Sequence, residues 1–378
     1  MSVVVEAVRS VELPTRIVHG VGAVERLGGL VRELGMERPL LVTDPGVTAA
    51  GLADRALAEL NGAAVFDRVR PNPDVELVAE VSAAYHEESC DGFVGLGGGS
   101  SIDTAKAAGV EIAHAGPILD YEYDHTPITQ RIPSLVAVPT TAGTGSEVGR
   151  AAMINVDGRK LDFISPHLFP ARALCDPGLT LGLPAYLTAA TGMDALTHCV
   201  ETYLSPLVNP PAEAIALDGV ERAARWIEKA THDGNSREAR WNMMMASMEG
   251  ALTFQKGLGA VHAMAHPLGA LDELPLHHGT LNAVLLPAVL RYNEPAATQK
   301  YDRLRRVIGL DASDDLATWV AELNARIGLP DGLAAMGVPT EVLPDIAQYA
   351  EHDPATQTNP RPVTRADYED LLRASRSD

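Results

Sequence analysis

The sequence predicts two domains, an α/β domain in residues 1–182 and an all-α domain in residues 183–378. At 378 residues the chain exceeds the usual size of a single hydrophobic core, and 46% of its residues are hydrophobic, enough to fill two. The first half alternates β-rich runs with helical patterns, whereas the second half has no β-rich run. This alternation predicts a parallel sheet with flanking helices.

Short apolar runs mark the predicted strands of the first domain. PLLVTD, which ends at Asp44, shows no polar alternation and is therefore typical of a parallel strand that is buried on both faces. Asp74 is a candidate N-cap for the helical run VELVAEVSAAYHEESC. The predicted strands are RIVHG near residue 16, PLLVTD, AAVFD, FVGLG and LVAVP.

Helical patterns fill the second domain from about residue 183. Long runs with small and apolar residues at helical spacing follow one another, and none has the period of a half-buried strand. These runs predict an all-α domain. They are LPAYLTAATGMDALTHCVETYLS, PPAEAIALDGVERAARWIEKATHDG, SREARWNMMMASMEGALTFQKG, LATWVAELNARIG and ADYEDLLRASRS.

Charge and composition exclude several classes of protein. A formal net charge of -20 argues against binding to nucleic acid or to an anionic membrane surface. The N-terminus has no signal peptide pattern, and no apolar run reaches membrane-spanning length. Cys90, Cys175 and Cys199 are scattered without a CxxC pair, which fits a reducing compartment. We therefore expect a soluble, cytoplasmic protein.

Histidines are concentrated in residues 257–279, which hold four of the twelve in the chain. His262 and His266 are four residues apart, so a helix places them on one face, among small and apolar neighbours. A histidine pair of this kind is more often a satisfied core or surface feature than a metal site. The other two histidines of this stretch, His277 and His278, follow shortly after.

A second stretch, TGMDALTH, strengthens the case for a metal. Asp194 and His198 are also four residues apart on a predicted helix. One carboxylate and three imidazoles form a plausible ligand set for a divalent metal such as Zn or Fe(II).

A Gly-rich turn, Gly97 to Ser100, follows one predicted strand and precedes a helix. Glycines at such a position let backbone N–H groups approach a phosphate, and the helix N-terminus adds partial positive charge. The candidate residues are Gly98, Gly99 and Ser100. The alternative is a tight strand-to-helix turn without a ligand, since the GxGxxG pattern is absent.

Two further features follow strands in the first domain. Thr140, Thr141, Thr144 and Ser146 form a hydroxyl-rich loop that could hold the other side of a nucleotide, or simply cap the next element. Asp44 suits hydrogen bonds to ribose hydroxyls, although a turn aspartate before proline is an alternative. A carboxylate there would repel a 2′-phosphate and favours NAD over NADP.

Taken together, these motifs resemble the iron-containing (group III) alcohol dehydrogenases. The resemblance implies a dehydroquinate synthase-like fold, with an N-terminal α/β dinucleotide-binding domain and an all-α C-terminal domain. It implies NAD(H), a metal and a homodimer, with Asp194, His198 and His262 as metal ligands. Lys160 matches a family position that contacts the cofactor, and Leu179 is a further expected contact. The matching motifs are GLGGGSSIDTAK, PTTAGTGSEV, LTAATGMDALTHCVE, GAVHAMAHPLGA and HGTLNAVLLP.

The fourth ligand falls in a run that departs from the family pattern. The family has Pro-His-Gly, whereas this chain has His277-His278-Gly279. Alignment on Gly279 and on downstream Asn282 makes His278 the expected ligand. His277 and His266 are then candidate catalytic residues that relay a proton or position the substrate, and support of a ligand is the alternative for His266.

A narrower resemblance points to the 4-hydroxybutyrate dehydrogenase branch, which interconverts a short ω-hydroxy acid and its semialdehyde. The carboxylate of such a substrate calls for a cation in the pocket. Arg150 is the first candidate and His167 the second; a solvated salt bridge is the alternative for Arg150. The matching segments are DGRKLDFISPHLFP, NPPAEAIALDGVERA, FQKGLGAVHAMAHPLGA and LHHGTLNAVLLPAVLRYN.

These inferences predict a metal-dependent, NAD(H)-linked alcohol dehydrogenase or aldehyde reductase. Its expected substrate is a short-chain hydroxy acid or the semialdehyde, and its metal is Fe(II) or alternatively Zn(II). The alternatives are a reductase of phosphonate or sulfonate aldehydes, a general primary-alcohol dehydrogenase, a metal-dependent lyase of the dehydroquinate synthase type, and a non-catalytic nucleotide-binding protein.

Overall fold

A computed structural model describes residues 13–114, 116–121, 127–156, 159–271, 274 and 276–377. Two compact units divide the chain, one formed by Pro14–Leu183 and the other containing Pro184–Asp378. The interpretation of the N-terminus as lacking a signal peptide rests largely on residues 1–12, which lie outside the described residues. Within the described part of the chain, no helix combines the length and the apolar character that a bilayer crossing requires.

A six-stranded parallel sheet forms the centre of the first unit. Its strands are β1 (Arg16–His19), β2 (Pro39–Val42), β3 (Ala64–Phe66), β4 (Gly92–Gly97), β5 (Leu135–Pro139) and β8 (Arg172–Cys175). They lie side by side in the order β1-β8-β5-β4-β2-β3. All five predicted strand runs are present in this sheet, so the prediction of a parallel sheet is confirmed.

An antiparallel hairpin of β6 (Ala151–Val156) and β7 (Arg159–Ile164) stands apart from this sheet. Neither this hairpin nor β8 was among the strands predicted from the sequence. The Asp-Gly dipeptide at positions 157–158 is a hairpin signal in the sequence that could have indicated the pair.

Helices cover both faces of the sheet, so neighbouring residues of strands β2 and β4 enter different apolar clusters. Leu40 packs with Phe66 and Phe93 in one cluster, while Leu41 packs with Val94 in the other. Asp74 accepts a hydrogen bond of 2.8 Å from the backbone N–H of Leu77, which confirms the predicted N-cap. The helices of this unit are α1 (Leu27–Glu33), α2 (Pro45–Ala49), α3 (Leu52–Leu57), α4 (Val75–Glu87) and α5 (Gly99–His114).

The second unit is helical, as predicted, and no strand occurs among its described residues. Helix α6 (Ala185–Leu204) has a long buried stretch, in which every residue from Thr188 to Leu204 is buried. The remaining helices are α7 (Pro210–His232), α8 (Arg237–Leu252), α9 (Ala260–Gly269), α10 (His278–Asn293), α11 (Thr298–Ile308), α12 (Leu316–Arg326), α13 (Leu343–His352) and α14 (Arg365–Ala374). Helix α6 packs against three of them, α7, α8 and α10.

Candidate active site

Three histidine side chains converge on one carboxylate oxygen in the helical unit. Asp194 Oδ1 lies 3.6 Å from His198 Nε2, 3.9 Å from His262 Nε2 and 3.8 Å from His278 Nε2. Ligands that stand about 2.1 Å from a tetrahedral ion are roughly 3.4 Å from one another. The three distances from Asp194 Oδ1 are therefore close to the separation of two ligands of one metal ion.

The cluster is assembled from three helices. Asp194 and His198 are one turn apart on α6, His262 lies in the first turn of α9, and His278 begins α10. The candidate ligand atoms of Asp194, His262 and His278 all lie within 4.8 Å of one another. His198 joins them through Asp194 and stacks on His262, with ring centroids 4.6 Å apart.

Burial makes this donor set suitable for a metal. Asp194, His198 and His262 are nearly inaccessible to solvent, and a buried carboxylate beside several imidazoles is costly unless a partner compensates. Burial lowers the pKa of His262 well below its ordinary value, and the neighbouring His198 acts in the same direction. His262 is therefore neutral, the form in which imidazole binds a metal.

The two neighbouring histidines at the start of α10, His277 and His278, have different surroundings. His278 belongs to the converging group, whereas His277 precedes α10 and is not among the group found in the described residues. The His277 ring instead lies edge-on to Tyr186, with centroids 6.3 Å apart. This placement favours His278 as the fourth metal-binding side chain.

His266 lies beside the cluster without belonging to it. Its ring stacks on that of His278, with centroids 5.7 Å apart, and lies 5.8 Å from that of His262. Its Nδ1 is 2.8 Å from Asp353 Oδ2, to which it donates a hydrogen bond. The sequence analysis did not single out Asp353.

Two further residues that the sequence analysis did not assign to the site touch the ligands directly. Glu201 accepts a 2.6 Å hydrogen bond from His262 Nδ1, and Asn282 Nδ2 donates a 2.7 Å hydrogen bond to Asp194 Oδ1. Burial raises the pKa of Glu201 to about 7, while N–H donors of α9 act in the opposite direction. A carboxylate in an otherwise apolar stretch of α6 was the available signal for Glu201.

In the first unit, the Gly-rich turn and the hydroxyl-rich loop are in contact. A Cβ placed on Gly99 would lie 2.8 Å from Thr144 Cγ2, and one on Gly98 would lie 3.5 Å from Thr141 Oγ1. The N–H of Thr140 donates to the carbonyl of Gly97 at 2.9 Å. The two loops follow adjacent parallel strands, β4 and β5, and so share the C-terminal edge of the sheet.

Asp44 reaches the same edge, since it follows β2, the other neighbour of β4. Its Oδ1 accepts hydrogen bonds from the N–H groups of Gly46 and Val47, at 2.8 and 3.0 Å, and so caps α2. Its Oδ2 would lie 3.2 Å from a Cβ on Gly97. Asp44 therefore combines a capping role with a position beside the Gly-rich turn.

Lys106 holds the hydroxyl-rich loop in place through hydrogen bonds, and it was not among the site residues predicted from the sequence. Its buried ammonium donates to Ser146 Oγ at 2.8 Å and to the carbonyls of Gly149 and Ala151 at 3.1 and 2.8 Å. Asp103 also bonds to Ser146. Burial lowers the pKa of Lys106, and the carboxylate of Asp103 opposes this change.

The remaining predicted residues fall in three places. Arg150 is exposed, and its carbonyl accepts from the Ser165 N–H at 3.1 Å, so that His167 lies at the same end of the hairpin. Lys160 pairs with Asn155, towards the other end. The Leu179 side chain is buried in an apolar cluster of the first unit.

Comparisons with known proteins agree with this architecture. Residues 14–177 match the family described as iron-containing alcohol dehydrogenase, and residues 188–376 match the C-terminal part of the Fe-containing alcohol dehydrogenase family. A 4-hydroxybutyrate dehydrogenase from Cupriavidus necator is 51% identical over 94% of this chain and 96% of its own length.

Solved structures show the same fold. That of a 1,3-propanediol oxidoreductase superimposes with a TM-score of 0.92 at 36% identity, over 97% of this chain and 100% of that one. A sulfoacetaldehyde reductase from Bifidobacterium kashiwanohense, in complex with NAD+, gives 0.90 at 28% identity, over 98% and 99%.

This chain belongs to the iron-containing alcohol dehydrogenase family. It is an oxidoreductase that acts on a small alcohol or aldehyde. The predicted family, fold and class of enzyme are thereby confirmed.

Proposed function

We propose that this alcohol dehydrogenase interconverts 4-hydroxybutyrate, or a closely similar ω-hydroxy acid, and its semialdehyde, using NAD(H) and Fe(II). The observation that carries the proposal is the 51% identity to the Cupriavidus necator 4-hydroxybutyrate dehydrogenase across nearly the whole of both chains. Zn(II) is the alternative metal, since carboxylate and imidazole ligands accept both ions.

In this proposal Asp194, His198, His262 and His278 hold the metal, supported by their spacing around one carboxylate oxygen. When bound, the ion supplies Lewis-acid polarisation of the substrate oxygen, and the nicotinamide supplies hydride chemistry. His266 donates a hydrogen bond from its Nδ1–H to Asp353, so Nε2 is the ring nitrogen proposed to accept a proton from an alcohol or to return one. His277 is the second candidate for this transfer.

The cofactor is proposed to lie at the C-terminal edge of the parallel sheet. Gly98, Gly99 and Ser100 offer backbone N–H groups at the start of α5, a sixteen-residue helix whose N-terminus attracts phosphate. Asp44 would bind the ribose hydroxyls and disfavour a 2′-phosphate, which supports NAD over NADP.

Further proposed contacts complete the cofactor site. Three of them are threonine hydroxyls in the hydroxyl-rich loop, one is a lysine of the β6–β7 hairpin, and one is a leucine that follows β8. These contacts are Thr140, Thr141, Thr144, Lys160 and Leu179.

Arg150 is the proposed anchor for the carboxylate of the substrate, and His167 is the second candidate. Their common position at one end of the β6–β7 hairpin supports a shared role. A sulfonate or phosphonate aldehyde would use the same cation, and the similarity to a sulfoacetaldehyde reductase keeps that substrate class as the runner-up.

The proposal extends to the assembly of the protein and to its cellular location. Among the described strands, β1 lies at an edge of the sheet, the kind of edge to which a strand from a second copy can add, and we propose a homodimer. The three cysteines are free thiols in the structure, which supports the reducing cytoplasm as the location.

A substrate panel tests the proposal. Succinate semialdehyde and butanal have the same chain length but differ in the terminal carboxylate, and sulfoacetaldehyde represents the runner-up. With NADH and added Fe(II) or Zn(II), we expect the highest kcat/KM for succinate semialdehyde. Faster reduction of butanal than of every anionic aldehyde would overturn the proposed substrate class. Binding of NADH without any net oxidation across the panel would favour a lyase or a non-catalytic protein.

A further inference from the structure

We propose that Glu201 is a positioning residue that fixes the His262 tautomer, so that the Nε2 lone pair points at the metal position. This inference rests on the proposed ligand set. Glu201 is not itself a proposed ligand. It determines which ring nitrogen of His262 is available to the metal.

The carboxylate of Glu201 is held from two sides by the start of α9. Its Oε2 is 2.6 Å from His262 Nδ1, and its Oε1 accepts a 2.8 Å hydrogen bond from the backbone N–H of Val261. Both oxygens are therefore engaged by N–H donors. Glu201 is itself only 5% exposed, so water does not compete effectively for these hydrogen bonds.

The hydrogen bond to Glu201 determines where the single proton of the neutral imidazole resides. A carboxylate is an acceptor, so His262 Nδ1 must carry the proton, and Nε2 is left with a lone pair. Nε2 is the atom that lies 3.9 Å from Asp194 Oδ1, on the side of the ligand cluster.

Asn282 supports the same tautomer from the opposite side of the ring. Its Nδ2 lies 2.7 Å from Asp194 Oδ1 and 3.1 Å from His262 Nε2. The amide nitrogen, rather than the oxygen, must face Asp194, because two oxygens would repel each other. A donor close to Nε2 requires that Nε2 be an acceptor, in agreement with a proton on Nδ1.

Glu201 also joins two of the ligand-bearing helices. It lies on α6 one turn beyond His198, and it bonds to the first turn of α9, where His262 lies. A Cβ on Gly259 would stand 2.7 Å from Glu201 Oε1, so glycine at this position lets the carboxylate approach the start of α9. The residue thus sets the orientation of the ring as well as its tautomer.

A second carboxylate provides an internal comparison. Asp353 accepts from His266 Nδ1 at 2.8 Å and from the Ala355 N–H at 2.8 Å, which is the hydrogen-bond pattern of Glu201. His266 is not among the proposed ligands. Loss of each carboxylate should therefore have different consequences for the metal, although both losses remove an acceptor for an imidazole and a backbone N–H.

The test compares Glu201→Gln with Asp353→Asn in the full chain. An amide has one acceptor and one NH2 group, so in Glu201→Gln one of the two N–H donors faces another donor. We expect a 10–100-fold rise in the Kd for Zn²⁺, measured by competition with a chelator, because support of a ligand is typically of this size. We expect less than a twofold change for Asp353→Asn.

A measurement on the wild-type chain keeps the inference testable if Glu201→Gln fails to fold. Long-range ¹H–¹⁵N spectra of the zinc-loaded protein, with His262 assigned by its loss in His262→Ala, report which ring nitrogen is protonated. A proton on Nδ1 is expected. A proton on Nε2, or unchanged zinc affinity in folded Glu201→Gln, would overturn the role of Glu201. If the role of Glu201 is overturned but Asp194→Ala loses zinc binding, the proposed ligand set is still supported. A wild-type chain that binds no zinc would overturn both proposals.

Discussion

Gly279 rests directly on the backbone of Ala190. A Cβ placed on Gly279 would lie 2.1 Å from the carbonyl oxygen of Ala190 and 3.2 Å from the Cβ of Asp194. The first turn of α10 is therefore in close contact with α6, one turn before Asp194, the carboxylate proposed to bind the metal. This approach brings His278, the neighbour of Gly279, within reach of Asp194.

Gly279→Ala should weaken metal binding and lower the thermal stability of the protein. The added methyl group has no room, so α10 must move away from α6 and carry His278 with it; overpacking of this kind typically costs about 1–3 kcal/mol. Zinc affinity by chelator competition and the melting temperature by calorimetry measure the two effects. Gly269→Ala is the control, since its Cβ would meet Leu281 only at 3.7 Å. Equal behaviour of the two variants would contradict the prediction.

The choice between His277 and His278 is open to a direct comparison. His278→Ala removes a side chain that lies 3.8 Å from Asp194 Oδ1. It should therefore lose most of the bound metal after dialysis, measured as moles of metal per chain by atomic emission. His277→Ala should retain the metal and lose activity only if the residue transfers a proton. Metal loss in the His277 variant alone would reverse the assignment.

Asp44→Asn should broaden the use of cofactors. Asparagine preserves an oxygen that can cap α2 but removes the charge that would repel a 2′-phosphate. The ratio of kcat/KM for NADPH to that for NADH should rise about tenfold, a change that corresponds to ~1.4 kcal/mol between charges a few ångströms apart. Asp54→Asn, on α3, serves as the control. An unchanged ratio in Asp44→Asn would remove the residue from the ribose site.

Glu249 should make stability depend on pH. Burial and the adjacent Asp218 raise its pKa from an ordinary value of 4.5 to about 8, although Arg222 opposes this change. Between these two pKa values the folded protein keeps a proton on Glu249 that the unfolded chain has already released. The contribution of Glu249 to the free energy of unfolding therefore declines as the pH rises from about 5 to 8.

Glu249→Gln should remove that decline, because glutamine resembles the protonated acid. The melting temperature of the variant minus that of the wild type should therefore increase as the pH rises through this range. Glu228, whose side chain is partly exposed and pairs with Arg326, offers Glu228→Gln as a control without the effect. Parallel curves for wild type and Glu249→Gln would contradict the prediction.

The parts of this protein that could be predicted from sequence are those encoded by neighbouring residues. The uninterrupted apolar run PLLV indicates a buried parallel strand, and the spacing of Asp194 and His198 indicates a shared helix face. Glu201 and Asp353 could not be paired with their histidines in this way. Their partners lie 61 and 87 residues away along the chain, and only the packing of α6, α9 and α13 brings them together.

The four proposed ligands are unevenly distributed among the helices that carry them. Asp194, His198 and Glu201 occupy successive turns of α6, whereas α9 and α10 contribute one imidazole each. A rigid shift of α6 would displace two ligands and the Glu201 carboxylate together. Local remodelling at the start of α9 or α10 would release a single coordination position and leave the other three in place. Variation at those two helix starts is thus the simplest way for this architecture to acquire a different coordination number without losing its ion.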